Sequence, residues 1–283
     1  MTKDALVLAG GGVAGIAWET GVLRGLEDEH PRLVSSLRSE STLLVGTSAG
    51  STVAAQLALG RGLRDLFDAQ TAEESAEVFA DIDLQEFAAG MAGLLQGGGS
   101  REDQLRRIGE MALAADTPST AVRHAVIEAR IPSETWPEHP LLIPAVDART
   151  GALRVFDRAS GVSLVSAVEA SCAVPGIWPT VPIQGHDYMD GGARSIANAD
   201  LAAGSDRVLI LVPSPEVGPY GPSLAPDQLE GLAPGRVHVV YADEASVAAM
   251  GANPLDPAAR RPTAIAGREL GRRIAADIAA FWG

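Results

Sequence analysis

The sequence predicts an α/β protein whose mainly parallel sheet carries helices on its faces. The chain opens strand, glycine loop, helix, strand, tight turn, helix, an alternation that lays successive strands parallel through crossover connections. Two later aliphatic runs, Val208 to Val212 and Val237 to Tyr241, read as further buried parallel strands. Helical spacing of apolar residues fills much of the segment from Arg61 to Ile131 and returns at the C-terminus.

Taken in order, Ala5 to Ala9 forms a short buried strand that runs into Gly10-Gly11-Gly12-Val13-Ala14-Gly15 and a helix from about Ile16 to Glu29. Leu43 to Val45 is the second strand, and the Ala- and Leu-rich stretch Ser51 to Leu59 is the helix after it. Leu63 to Asp68, Thr71 to Phe79, Leu84 to Leu95 and Glu102 to Ala114 follow as helices, with Gln96 to Ser100 as a glycine-rich break. Leu141 to Asp147 and Arg154 to Phe156 read as strands around a Thr150-Gly151 turn, and Ser163 to Ser171 as a helix. Ile183 to Met189 has the pattern of a hairpin ending at Asp190-Gly191-Gly192. A Pro/Gly-rich loop, Pro213 to Pro234, separates the last two strands, and Pro262 to Trp282 closes the chain as an amphipathic helix. No repeat or linker-like change of composition divides residues 1–283, so one domain is expected.

The 283 residues are 46% hydrophobic and 20% charged, the balance of a globular chain with a sizeable core. A formal charge of −14 argues against nucleic acid, whose phosphates need a basic surface, and more weakly against docking on anionic membranes. Cys172 is the only cysteine, so no intrachain disulfide can form. The N-terminus lacks a signal-peptide pattern, and the uncharged run Ala5 to Trp18 is too short and glycine-rich to span a bilayer. A soluble, cytoplasmic protein is expected; peripheral membrane contact and oligomeric state stay open.

Ser48 lies at the centre of Gly46-Thr47-Ser48-Ala49-Gly50, directly after an apolar run. A strand, sharp turn and helix in that order push a serine hydroxyl out of a sheet, and the flanking glycines let the backbone curl around it. The first glycine loop has three readings. It satisfies the dinucleotide pattern Gly-x-Gly-x-x-Gly, but no carboxylate ends the second strand to hold a ribose. It can instead present bare N–H groups of Gly10, Gly11 and Gly12 to an oxyanion, or be a structural turn.

A serine nucleophile needs a base. Of the five histidines, His30, His124 and His139 have no distinctive setting, and His186 falls at the hairpin tip. His238 follows Ser48 and Asp190 in the Ser…Asp…His order, yet lies inside a strand, where a packed histidine is the simpler reading. Asp190 ends a strand before two glycines, and a partly desolvated aspartate can accept a serine proton directly. Taken alone, Asp190-Gly191 is also an ordinary surface turn.

Together the three motifs resemble the patatin-like acyl hydrolases. The matching residues are Gly10 to Gly15, Gly46 to Gly50 and Asp190 to Gly192, with Ala170-Ser171-Cys172-Ala173-Val174-Pro175 ahead of the acid. The resemblance runs from about residue 5 to 212 and is patchy from 60 to 140. It implies a three-layer α/β/α fold, Ser48 as nucleophile and Asp190 as base of a dyad, and Gly11 and Gly12, with Gly10 beside them, as oxyanion donors. Gly15, Gly46, Gly50, Gly191 and Gly192 would support the motifs. It further implies hydrolysis of lipid or related carboxylic esters through an acyl-serine, with no metal or cofactor. An acyltransferase using the same serine and a dinucleotide-binding protein using the first loop remain the alternatives. Two departures stand out: Ala14 where the family often has Arg or Lys, and Asn198-Ala199-Asp200 without the proline that often follows the asparagine. Trp178 and Phe156 are expected in an acyl pocket or the core, Cys172 in packing, and Leu84 to Leu95 in a lid or on the surface. Phe281-Trp282 could meet a membrane, another subunit or the protein's own body.

Overall fold

The computed structural model describes residues 3–80, 89–91, 93–94, 98–218 and 221–283. Its centre is an eight-stranded sheet. Strands β1 (Asp4–Leu8), β2 (Thr42–Gly46), β3 (Leu141–Asp147), β7 (Arg207–Val212) and β10 (Arg236–Tyr241) are parallel. Strands β4 (Leu153–Phe156), β5 (Val181–Ile183) and β6 (His186–Asp190) are joined to them by antiparallel pairing. The order is β10-β7-β1-β2-β3-β6-β5, with β4 paired to β3. A two-stranded hairpin, β8 (Val217–Gly218) and β9 (Gly221–Pro222), stands apart.

The helices are α1 (Gly12–Glu29), α2 (Pro31–Leu37), α3 (Ala49–Ala58), α4 (Leu63–Thr71), α5 (Arg101–Ala114), α6 (Thr120–Arg130), α7 (Leu164–Ser171), α8 (Pro226–Glu230), α9 (Glu244–Met250) and α10 (Arg260–Trp282). Several begin at the polar caps their sequences offer. Ser100 and Asp103 form a reciprocal capping box on α5, and Ser119 and Ser163 cap α6 and α7 through their hydroxyls.

Two apolar clusters cover opposite faces of the central strands. Leu6, Leu8 and Leu44 pack with α1, α3 and α7 on one side; Ala5, Val7 and Val45 pack with Ala199 and Ala202 on the other. Alternating residues of β1 thus enter different clusters, as a strand buried on both faces requires. The expected α/β/α layering is therefore present.

Three differences from the sequence expectations have physical causes. Helix α1 starts at Gly12 rather than near Ile16, because the glycine loop itself turns into the helix. Residues 72–80 are irregular rather than helical. Their alanines give the stretch a helical spacing, but Glu77 anchors it instead through a two-pronged ion pair to Arg130, at 2.8 and 2.5 Å. The Pro213–Pro234 connection holds the small hairpin and α8. The Leu84–Leu95 stretch lies largely outside the described residues. Among the described residues no helix is long and apolar enough to cross a membrane.

The final helix is tied to the first. Trp282 is buried and Phe281 packs on His238 at 5.3 Å between ring centroids, so the C-terminal aromatics meet the protein's own body. Helices α1 and α10 approach so closely that a Cβ at Gly25 would lie 2.1 Å from the Arg268 carbonyl oxygen. One at Gly271 would lie 2.2 Å from that of Val22. Backbone, unlike a flexible side chain, cannot yield there. Gly271→Val is therefore expected to destabilise the protein by about 3 kcal/mol or more. Gly231→Ala, whose added methyl meets nothing closer than 3.5 Å, should shift stability by less than about 0.5 kcal/mol; urea unfolding of both variants checks the contrast.

Candidate active site

Ser48 is set between the end of β2 and the start of α3 with φ 52° and ψ −116°, a conformation open to few non-glycine residues. The turn is closed from beneath. A Cβ at Gly50 would lie 2.0 Å from the Leu8 carbonyl oxygen, so α3 can begin against β1 only with glycine there. Gly50 donates its N–H to Ala9 O at 3.0 Å, and Thr47 donates to Leu8 O at 3.0 Å. Gly46 and Gly15 face similarly crowded backbone or Ala49.

The end of α7 braces the turn from the side. Ser48 N–H donates to Ser171 Oγ at 3.0 Å, and Ser171 Oγ donates to Pro144 O at 2.7 Å. The Cys172 thiol donates to Ser48 O at 3.2 Å. Asp190 N–H donates to Ala173 O at 2.9 Å. Within the Ser171-Cys172-Ala173 run, the first two residues hold Ser48 and the third holds Asp190. Cys172 is buried, and that burial pushes its thiol above the usual range, consistent with packing rather than reactivity.

Sheet register brings Asp190 to Ser48. Val45 lies opposite Leu142, so continuing that register sets position 48 level with Ala145. Ala145 is in turn the partner of Asp190 on the antiparallel strand β6. The Asp190 side chain accepts from Gly192 N–H at 2.7 Å, and the Ser48 hydroxyl beside it lowers its proton affinity. Gly191 packs on the Pro144 carbonyl, where no side chain fits. Burial, the largest influence, pushes the Asp190 carboxyl up to about 6, against the lowering effects of Ser48, Gly192 and the Arg123 charge. A buried carboxylate of that basicity, beside a serine, can accept the hydroxyl proton near neutral pH.

The first glycine loop lies against the serine. A Cβ on Gly10 would meet Ser48 Cβ at 3.4 Å. Gly10 is not an available donor, however, because its N–H is committed to Ile196 O at 2.7 Å. Among the described residues Gly11, Gly12 and Ala49 donate their N–H groups to no protein acceptor. They sit at the N-termini of α1 and α3, whose dipoles favour negative charge. Ala49, the residue after the serine, escaped the sequence reading because no side chain marks a backbone donor.

Asn198 is a second residue whose importance sequence left understated. Fully buried with φ 47°, its amide donates to Thr47 Oγ1 at 3.1 Å, Gly191 O at 3.2 Å and Ser195 O at 2.8 Å. It stitches the serine turn to the aspartate turn without touching either side chain, and does so without a following proline.

A small recess opens over Ser48, walled by Gly12, Val13, Ile16, Val174, Trp178 and Leu255, with Arg123 and Arg130 at one side. Its free volume, ≈ 10 Å³, is about that of one water, so a larger molecule enters only when part of this wall shifts. Phe156, the other aromatic expected near a pocket, is core, stacked edge-on to Tyr188.

The histidines lie elsewhere. His238 is on the edge strand β10 against Phe281, and burial holds it below its usual range. His139 contacts Thr42 O at 2.9 Å, His186 the Asp147 carboxylate at 2.7 Å, and His124 the Glu169 carboxylate at 2.6 Å. Among the described residues, His124, Glu128 and Glu134 are grouped as metal ligands could be, but Glu128 and Glu134 are exposed and none lines the recess.

Residues 6–203 match the family model for patatin-like phospholipases. No curated protein matches the chain in sequence. Among solved structures it is similar to VipD from Legionella pneumophila, at 12% identity and a TM-score of 0.47, over 98% of this chain and 67% of that one. It is also similar to the type III effector protein ExoU, at 17% identity and a TM-score of 0.39, over 96% of this chain. The chain spans about half, 54%, of the ExoU chain. The family model covers most of the sequence and all three glycine-flanked motifs, and on that match the chain belongs to the patatin-like phospholipase family.

Proposed function

We propose that this protein is a serine acyl hydrolase that cleaves carboxylic esters of lipids or related molecules through an acyl-serine intermediate. The observation that carries the reading is the buried Ser48 hydroxyl set beside the buried Asp190 carboxyl, with unengaged backbone donors next to them. In the first step Asp190 accepts the Ser48 proton as the oxygen attacks the ester carbonyl. Gly11, Gly12 and Ala49 N–H groups stabilise the oxyanion. The proton passes to the departing alcohol as the carbon–oxygen bond breaks. Water then attacks the acyl-serine with Asp190 again as base, releasing the acid. The dyad needs no histidine and no metal. An acyltransferase would differ only in the acceptor that replaces water, and product analysis with added alcohols separates the two. The dinucleotide alternative fares worse, because β2 ends in Val45-Gly46 with no carboxylate to hold a ribose hydroxyl.

A fluorophosphonate should label Ser48 and no other residue, as read by mass spectrometry. Ser48→Ala and Asp190→Asn are each expected to lower p-nitrophenyl ester turnover by about a thousandfold or more, while His238→Ala stays within about twofold of the wild type. Loss in His238→Ala with retention in Asp190→Asn would replace the dyad by a triad.

Asp190 must be ionised to act as base, so kcat/KM should rise with pH and level off above a midpoint of about 6. The same shift has a sign for stability. The native carboxyl holds its proton more tightly than the unfolded one, so ionisation costs stability as pH rises from about 4 to 6 and stays costly above. Asp190→Asn should consequently be more stable than the wild type at pH 7.5, by an amount on the order of 2–3 kcal/mol, with the gap closing near pH 4. Urea denaturation at the two pH values checks it.

A further inference from the structure

One charged group at the recess acts on the chemistry above only through its field on Asp190. Arg123 projects from α6 and is 5% exposed. Its guanidinium makes a long 3.4 Å contact to Cys172 O and stacks 4.2 Å from the Trp178 ring centroid. Its Nε is buried without any partner. Among the described residues no carboxylate forms an ion pair with it. Neighbouring Arg130 differs in this respect, since Glu77 grips it from two sides. Arg260 lies further along the same positive patch, donating to the Ala69 carbonyl. The patch therefore holds three arginines, of which Glu77 pairs with Arg130 alone, inside a chain with a formal charge of −14.

Burying a cation without a counter-ion is costly, and folded proteins rarely leave one so. Desolvation and the Arg130 charge pull the Arg123 guanidinium down to about 10, so it stays charged at neutral pH while, among the described residues, no carboxylate pairs with it directly. Trp178 stabilises it only in part. The guanidinium lines the same recess as Ser48 and is one residue removed from it, through Cys172, which touches both. A planar fork of donors with free valences matches a phosphate or carboxylate oxygen pair.

We infer that Arg123 forms an anion-binding subsite beside Ser48, which takes a phosphate or carboxylate group carried by the ester substrate. The inference rests on the acyl-hydrolase reading for the word substrate, but the binding itself does not depend on turnover. Seated there, the anion would replace the missing counter-ion and orient the ester toward Ser48. The site selects against neutral esters, whose binding leaves the buried charge uncompensated. The other charges facing Arg123 are Arg130 and the carboxyls of Glu77, Glu169 and Asp190; Arg130 holds Glu77, His124 holds Glu169, and Asp190 accepts from Gly192 N–H.

The test uses the Ser48→Ala protein, so that binding is read without reaction. Glycerol phosphate, inorganic phosphate, succinate and glycerol are titrated while tryptophan emission is followed, with Trp178→Phe identifying the reporting ring. Saturable change with glycerol phosphate or succinate and none with glycerol is expected. Adding Arg123→Met should weaken that binding at least tenfold, and Arg123→Lys should restore part of it. Unchanged affinity in Arg123→Met, or no saturable binding at all, overturns the subsite. Inorganic phosphate binding tighter than glycerol phosphate assigns the site to a free anion and overturns its role in substrate recognition. In the active protein, the ratio of kcat/KM for monooctanoylglycerol phosphate over monooctanoylglycerol should exceed about ten and fall toward one in Arg123→Met. The corresponding ratio for a p-nitrophenyl hemisuccinate over p-nitrophenyl butyrate reads the carboxylate arm. Absence of any hydrolysis would refute the parent reading while leaving the binding result to decide the subsite. If Arg123→Met does not fold, Arg123→Gln and Arg123→Lys carry the same comparison.

Discussion

Ser48 occupies a backbone conformation that a serine holds only when its surroundings compel it, at a cost of about 1–3 kcal/mol. Everything near it contributes to that compulsion. β1 presses α3 from below at Gly50, the end of α7 fixes the N–H and the carbonyl of Ser48, and Asn198 ties Thr47 to the aspartate turn. Since these contacts come from segments far apart in sequence, the turn forms only when the whole sheet has assembled. Strain at this one residue thus links the global fold to the direction of a single hydroxyl.

The pairing of Ser48 with Asp190 also follows from the sheet rather than from the loops. β3 runs beside β2 for two residues and then takes β6 and β4 as partners. The exchange sets a strand running the opposite way so that its last residue, not its first, meets the carboxyl end of β2. An aspartate delivered in this manner is buried from the outset, which is what raises its proton affinity. Chemistry and topology are here the same arrangement seen at two scales.

Much of this was legible in the sequence. The alternation of strand and helix and the three motifs each have local chemistry that reports their structure: glycine where φ is positive or space is absent, serine at helix starts, alternation in strands. The hairpin was legible too, but its turn is at Gln184-Gly185, and His186, expected at the tip, opens β6. What stayed hidden was relational. Residues 72–80 place Ala72, Ala76 and Phe79 at helical spacing, so their anchoring through Glu77 to Arg130 could not be read. Gly10 and Gly11 look alike on paper, yet Ile196 engages one N–H and not the other. Arg123 sits on an amphipathic helix where an arginine ordinarily faces water, and only packing reveals that Trp178 and Cys172 enclose it.

The close fit of α1 to α10 has a bearing on how this protein can be divided. The glycine loop begins α1, and its first turn is fastened by the carbonyl of Pro254 to Ala14 N–H at 2.9 Å, with Leu255 packed over Gly12. Those residues, like β7, β10 and the final helix, fall beyond the span 6–203 that carries the recognisable motifs. A fragment cut to that span would keep each signature residue and lose the clasp that aims the first loop. The recognisable part of the molecule and the part that holds its first loop in place are therefore different objects, and the terminal eighty residues belong to the second.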